Sequence, residues 1–221
     1  MAEQFHKMDA SYYSRGEEII NFITHGIGAL LSIGGLVYLI YQALNFGTTW
    51  HLVSFIIYGI SLVLLFLASA LYHGIPVARW KEGLNMFDRS AIYILIAGTY
   101  TPFLLNDLRG PWGWSLFAVI WGLTIFGLTI SLGLLPKLRR ASVILYLAMG
   151  WLVVLAGRQL LGSLSPTTVT LLIAGGVSYT VGVVFYLWRR LPYNHAIWHL
   201  FVLGGSISHY FSVLGLLGSG V

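Results

Sequence analysis

The chain contains no cysteine in 221 residues. Disulfides and thiolate-held metals are thereby excluded, and any metal has to sit on His, Asp or Glu. Charge is almost as scarce, at 9% of residues against about 25% in a soluble domain. Its placement says more than its amount. Ile19–Ala78 runs for 60 residues without Asp, Glu, Lys or Arg, and uncharged runs recur at Ser90–Asn106, Gly110–Pro136, Ala141–Gly157, Gln159–Trp188 and Leu191–Val221. With 57% apolar residues and a mean hydropathy of +0.82, a water-soluble globule is excluded. The net charge of +5 does not indicate nucleic acid, because the basic residues are scattered over short loops and form no stripe. The opening residues mix acids and bases with no early apolar core, so no cleavable signal peptide is expected.

One bilayer-spanning helix takes roughly 20 apolar residues at about 1.5 Å each. The 60-residue run is too long for one crossing and has to fold back, with Asn45-Phe46-Gly47-Thr48-Thr49 as the natural turn. The expected spans are Glu18–Ala43, Trp50–His73, Leu84–Leu105, Trp112–Leu134, Leu138–Arg158, Pro166–Trp188 and Asn194–Gly218. The expected fold is therefore all-α, a polytopic seven-transmembrane helix bundle. Residues 1–16 form a short leader and 17–221 a single membrane domain.

With the N-terminus inside, Lys7, Arg15, Arg79, Lys81, Arg89, Lys137, Arg139, Arg140, Arg189 and Arg190 are cytoplasmic, and only Arg109 and Arg158 lie outside. That asymmetry places the N-terminus in the cytoplasm and the C-terminus outside. Arg89, Arg139 and Arg140 read as topology determinants on this basis. Trp50, Trp80, Trp112, Trp114 and Trp188 fall near span ends, as an interfacial aromatic belt requires. Gly204, Ser208 and Ser212 form a small-residue row suited to close helix packing.

Ionisable groups inside spans are costly and mark function. They are Glu18, His25, His51, His73, Asp88, His195, His199 and His209. His73 ends the second helix at its cytoplasmic end, Asp88 opens the third there, and His195 and His199 open the seventh. Glu18, Asn21 and His25 form one polar stripe in the first turns of the first helix. His195 and His199 stand at i and i+4, so both imidazoles project from one helix face. Ser69 has the same spacing to His73. With His73 and Asp88 at the same depth, this set reads as a metal site, since three neutral imidazoles with an open position make a catalytic-zinc arrangement. A nearby carboxylate can then orient or deprotonate the metal's water. His51 reads as an interfacial anchor and His209 as a packed interhelical contact.

The set Glu18-x2-Asn21-x3-His25, Ser69-x3-His73, Asp88-x-Ser90 and His195-x3-His199, in order and at these helices, resembles the hemolysin III family. That family belongs to the superfamily containing progestin and adipoQ receptors and alkaline ceramidases. The resemblance covers essentially the whole chain, and the short leader is similar to the bacterial branch. It implies zinc as cofactor on His73, His195 and His199, with Asp88 holding the water on the zinc and Ser69 beside it. Glu18, Asn21 and His25 stand as supporting residues around those ligands. Arg89 separates Asp88 from Ser90, and consecutive helical side chains point about 100° apart, which turns it toward lipid headgroups.

Two functions fit these residues. One is a zinc-dependent hydrolase of a lipid amide or ester, ceramidase-like, taking membrane lipids at the cytoplasmic end of the bundle. The other is a non-enzymatic membrane-lipid sensor or regulator with a structural zinc site, closed by Asp88 as fourth ligand. A pore-forming toxin, which the family name suggests, fits poorly, because seven apolar helices offer no soluble state from which to enter a target membrane. The expected location is a bacterial inner membrane, and the oligomeric state is left open.

A reporter fused after Val221 is expected to read as outside the cytoplasm, and one in the Lys81–Gly83 segment as inside. Both on the same side would contradict seven spans.

Overall fold

A computed structural model of the chain describes residues 13–218. Their regular structure is helical throughout. The helices are α1 (Arg15–Phe46), α2 (Thr49–Gly74), α3 (Ala78–Leu105), α4 (Pro111–Ser131), α5 (Pro136–Ser163), α6 (Pro166–Leu187) and α7 (Asn194–Leu214), the last continuing as a 3₁₀ turn over Gly215–Gly218. The seven-helix expectation holds. Residues 1–12 of the leader lie outside the described residues, and the boundary after residue 16 falls inside α1.

Local chemistry explains most helix ends. Ser14 and Glu17 make a reciprocal capping box, which starts α1 at Arg15, three residues before the expected Glu18. Thr48 and His51 make a second such box at α2. Between them a Cβ on Gly47 would stand 2.8 Å from the Ala43 carbonyl oxygen, so only glycine allows this tight reversal. Ser165 caps α6 and Pro166 occupies its first position. At 32 residues, α1 is about 48 Å long and exceeds the roughly 30 Å hydrocarbon core.

Among the described residues, six helices are long and apolar enough to cross a membrane. The exception is α3, which begins at Ala78, six residues before the expected Leu84, and so takes Arg79, Lys81 and Glu82 into its first turns. The Lys81–Gly83 loop expected from the sequence is therefore helical, and only Ile75–Val77 link α2 to α3. These charged first turns are largely exposed, and only from Ser90 onward does α3 become central, packed among α2, α4, α5 and α7. Protein surrounds much of it, with Ala97 and Thr101 at 0% exposure.

The expected fifth span, Leu138–Arg158, is interrupted. Its segment α5 runs as 3₁₀ over Pro136–Ala141, α over Ser142–Trp151, 3₁₀ over Leu152–Ala156 and α again over Gly157–Ser163. The physical cause is Tyr100 of α3. Its hydroxyl reaches the Met149 and Gly150 carbonyls, both at 2.9 Å, and accepts from Val153 N–H at 2.7 Å. A side chain inserted into the i→i−4 ladder breaks it locally.

The surface is the inverse of a soluble protein's. Leu30 is 73% and Leu161 69% exposed, while Asn21, Ser54 and Thr101 are 0% exposed. Lipid accepts the former and cannot hydrogen-bond the latter. The five tryptophans expected at the interfaces stand exposed at helix ends. Helices α6 and α7 approach through small residues. Gly205 lies under the Tyr179 ring, and Ser212 Oγ donates to the Thr168 carbonyl at 2.8 Å. Of the expected row, Ser212 serves this contact, Gly204 is looser against Ser178, and Ser208 bonds back to its own helix.

Two glycines of α1 test this packing. A Cβ on buried Gly28 would stand 2.5 Å from the Phe66 ring, whereas one on Gly34 meets nothing within 4 Å. Gly28→Ala should cost about 1–3 kcal/mol in detergent unfolding, and Gly34→Ala should leave stability unchanged or slightly raised.

Candidate metal centre

Four helices deliver polar groups to one end of the bundle. The last turns of α2 carry Ser69 and His73, and the first turns of α7 carry His195 and His199. The start of α1 carries Glu18, Asn21 and His25, and α3 brings Asp88. The start of α7 is fixed by its neighbours. Tyr193 adopts φ 58 just before it, and its N–H donates to Glu17 Oε1 at 2.9 Å. Asn194 Nδ2 donates to the Phe185 and Tyr186 carbonyls at 3.1 and 3.2 Å, tying α7 to the end of α6.

His73, His195 and His199 each present a ring nitrogen such that the three ligand atoms lie within 4.8 Å of one another. Their ring centroids are 5.0 Å (His73–His195), 5.1 Å (His73–His199) and 4.5 Å (His195–His199) apart. His73 and His199 are buried, and His195 is half-buried in the wall of a cavity with its Nδ1 shut off from solvent. The arrangement can hold a metal ion.

Neighbouring groups set the tautomers. Glu18 Oε2 lies 2.5 Å from His73 Nδ1. The carboxylate accepts there, which leaves Nε2, buried and without a hydrogen-bond partner among the described residues, as the lone-pair donor. Glu18 in turn accepts from Lys81 Nζ at 3.4 Å, and Lys81 also donates to the Tyr72 carbonyl at 2.5 Å. Thr24 plays the matching part for His199. Its hydroxyl proton goes to the Ile20 or Asn21 carbonyl at 2.9 or 3.0 Å, so its oxygen accepts from His199 Nδ1–H at 3.2 Å. His199 Nε2 then carries the lone pair.

The remaining sequence candidates fall into place as follows. His25 is outside the three-nitrogen group and stacks flat on His199, with centroids 3.5 Å apart and planes within 11°. Asn21 is fully buried beside it, and among the described residues the side-chain nitrogens and oxygen of both have no hydrogen-bond partner. Asp88 and Ser69 are neighbours in the cavity wall, with Asp88 within electrostatic reach of His73. Arg89 does not turn to lipid headgroups; it lines the same cavity and donates to Asn85 Oδ1 one turn before it. His51 is at the opposite end in the α2 cap, and His209 bonds the Leu172 carbonyl at 3.0 Å.

Three residues of the site were not expected from the sequence: Thr24, Lys81 and Tyr13, whose ring lies 4.9 Å from that of His195. The unpaired Glu18 in a span was a signal for Lys81, because an intramembrane carboxylate demands a cation or donor. Thr24 and Tyr13 carried none.

The profile of the family described as "Haemolysin-III related" matches residues 13–210. The "Hemolysin-3 homolog" of Bacillus subtilis (strain 168) is 49% identical over 198 residues, covering 90% of this chain and 93% of the relative. "Hemolysin-3" of Bacillus cereus is 50% identical, covering 90% of each. The chain belongs to the haemolysin-III-related family. Human "Monocyte to macrophage differentiation factor" is 30% identical over 174 residues, 74% of this chain and 70% of the relative. All the residues of this haemolysin-III centre lie within the matched span.

His73→Ala, His195→Ala and His199→Ala should each lose most of the bound metal, measured by elemental analysis of purified protein. His51→Ala and His209→Ala should keep it. Glu18→Gln and Thr24→Val should weaken metal affinity by about 10–100-fold, the usual effect of removing a ligand's hydrogen-bond partner.

Proposed function

We propose that this membrane protein is a zinc-dependent lipid hydrolase, cleaving an amide or ester in the manner of a ceramidase, at the cytoplasmic end of a bundle in a bacterial inner membrane. The observation that carries the proposal is the cavity. About 550 Å³ in volume, it has His195, His199, Asp88 and Ser69 in its polar wall and continues into the bundle between Leu95, Ile96, Phe103 and Leu104. A lipid can place its headgroup linkage at the imidazoles while a chain remains in an apolar environment.

The donor set fits zinc. Three neutral imidazoles suit that ion, and each of two is oriented by a hydrogen bond at its far nitrogen. Zinc on three imidazoles supplies Lewis acidity, which polarises a carbonyl and lowers the pKa of water to about 7. The protein's own groups do the rest. Asp88 takes the proton of the attacking water and delivers it to the leaving amine or alkoxide. Ser69, hydrogen-bonded to Asp88, holds that carboxylate toward the imidazoles. Glu18 and Thr24 hold His73 and His199, and the apolar cavity wall keeps bulk water from the chain.

A sensor with a structural zinc is the competing reading, and one observation favours it. The Glu18–His73 and Thr24–His199 contacts join α1 to both α2 and α7, so a metal bridging α2 and α7 would also brace an end to which α1 is tied. Against it, Asp88 does not belong to the three-donor group among the described residues, whereas a structural site normally takes four protein ligands.

Asp88→Asn separates the two. Under the hydrolase reading it keeps zinc and melting temperature but loses at least about a hundredfold in turnover on lipid amides and esters. Under the structural reading it loses zinc and stability together.

A further inference from the structure

His209 stands ten residues beyond His199 on α7. That is a rise of about 15 Å, which puts its imidazole near the middle of a hydrocarbon core of about 30 Å. The hydrolase reading does not use it, although an ionisable side chain at that depth is costly and marks function by default. The packing is built around the ring. Helix α6 carries Gly175 opposite it, where a Cβ would stand 2.1 Å from Cδ2 and 2.4 Å from Nε2. Nε2–H donates to the Leu172 carbonyl at 3.0 Å, so in the neutral ring the lone pair is on Nδ1. Nδ1 is buried and has no hydrogen-bond partner among the described residues. An interhelical contact accounts for Nε2 and leaves Nδ1 unanswered.

The ring lines the same cavity as His195, His199 and Asp88. With Cδ2 and Nε2 set against α6, its Nδ1–Cε1 edge is the one turned away from that helix. We infer that the cavity takes an acyl chain bearing a hydroxyl near its middle, whose O–H donates to His209 Nδ1. The chemistry is one-sided. A hydroxyl brings a donor, whereas a ketone, an epoxide or a double bond brings none and cannot answer a lone pair. Tyr179, edge-on to His209 at 5.3 Å, has its own hydroxyl on Ser206 Oγ at 2.8 Å. Length fixes the position of the ligand's hydroxyl. Carbon–carbon bonds of about 1.5 Å at tetrahedral angles advance an extended chain by about 1.25 Å per carbon, so ~15 Å is about twelve carbons. A linkage seated at the imidazoles puts roughly the tenth to twelfth carbon of its chain beside His209. This names the substrate class of the hydrolase reading and rests on it for seating the carbonyl at the imidazoles.

The test is equilibrium binding of free fatty acids to zinc-loaded protein in detergent. Tryptophan fluorescence reads it, since Trp151 and Trp198 line the cavity. The probes are stearic acid, the hydroxystearic acids substituted at the twelfth and at the second carbon, and the ketone at the twelfth. The mid-chain hydroxy acid should bind at least about tenfold tighter than the other three, because it alone gives the buried acceptor a partner. This comparison uses the unaltered protein and does not depend on any variant folding. His209→Phe should abolish the preference and leave stearic acid affinity and zinc content unchanged. His209→Gln, whose amide can donate to Leu172 and accept from the ligand, should retain part of it. Equal binding of the mid-chain hydroxy acid to stearic acid, to the ketone or to the second-carbon hydroxy acid would overturn the proposal. So would a preference that survives in His209→Phe. None of the probes carries an amide or ester. Selective binding by a protein that hydrolyses nothing therefore refutes the hydrolase reading alone, and hydrolysis without selectivity refutes the hydroxyl alone.

Discussion

The Glu18 carboxylate is the fixed point of the histidine-bearing end of this bundle. A carboxylate in a membrane helix is tolerable only when it is paired, and Glu18 is paired with both His73 and Lys81. Those partners stand on α2 and α3, so one side chain of α1 sets the relative depth of three helices. It also decides which nitrogen of His73 faces its two fellow imidazoles. Thr24, less than two turns further along α1, does the same for His199 on α7. The first helix supplies none of the three ligand nitrogens, yet it orients two of them.

Around that end the bundle separates two kinds of contact. Next to the imidazoles, polar groups answer one another across helices. Deeper in, the cavity wall becomes leucine, isoleucine and phenylalanine. Such a gradient suits an amphiphile better than a solute of uniform polarity. The interruption of α5 belongs to the same design, since Val153, Val154 and Leu160 of that segment line the cavity. Tyr100 holds the broken segment through backbone groups that a regular helix would have satisfied itself.

Much of this was legible in the sequence because lipid imposes simple rules. Uncharged runs had to become helices, and the basic residues ordered them, so His73, His195 and His199 were expected at one depth. The structure brings their ligand atoms within 4.8 Å. What was not legible depends on contacts between distant segments. The early start of α3 adds exposed, charged turns ahead of its buried stretch, which a pattern of apolar runs does not register. The break in α5 comes from a tyrosine about 50 residues earlier in the chain. Arg89 looked like a marker of sidedness because a one-dimensional pattern cannot distinguish a headgroup-facing cation from one that faces inward. Thr24 was invisible for a similar reason, since its neighbours in sequence are apolar or already accounted for.

The ligands are divided between α2 and α7, with more than 120 residues between His73 and His199. A nascent chain emerging from N- to C-terminus thus carries a lone imidazole through the insertion of four further helices. Only when the seventh enters the bilayer in the correct direction do the other two nitrogens reach it. An ion held by these three imidazoles would therefore be captured as the last event of membrane assembly. A chain with one helix missing or inverted would put its histidines on opposite faces of the bilayer, and the ion would discriminate correctly threaded molecules from misthreaded ones.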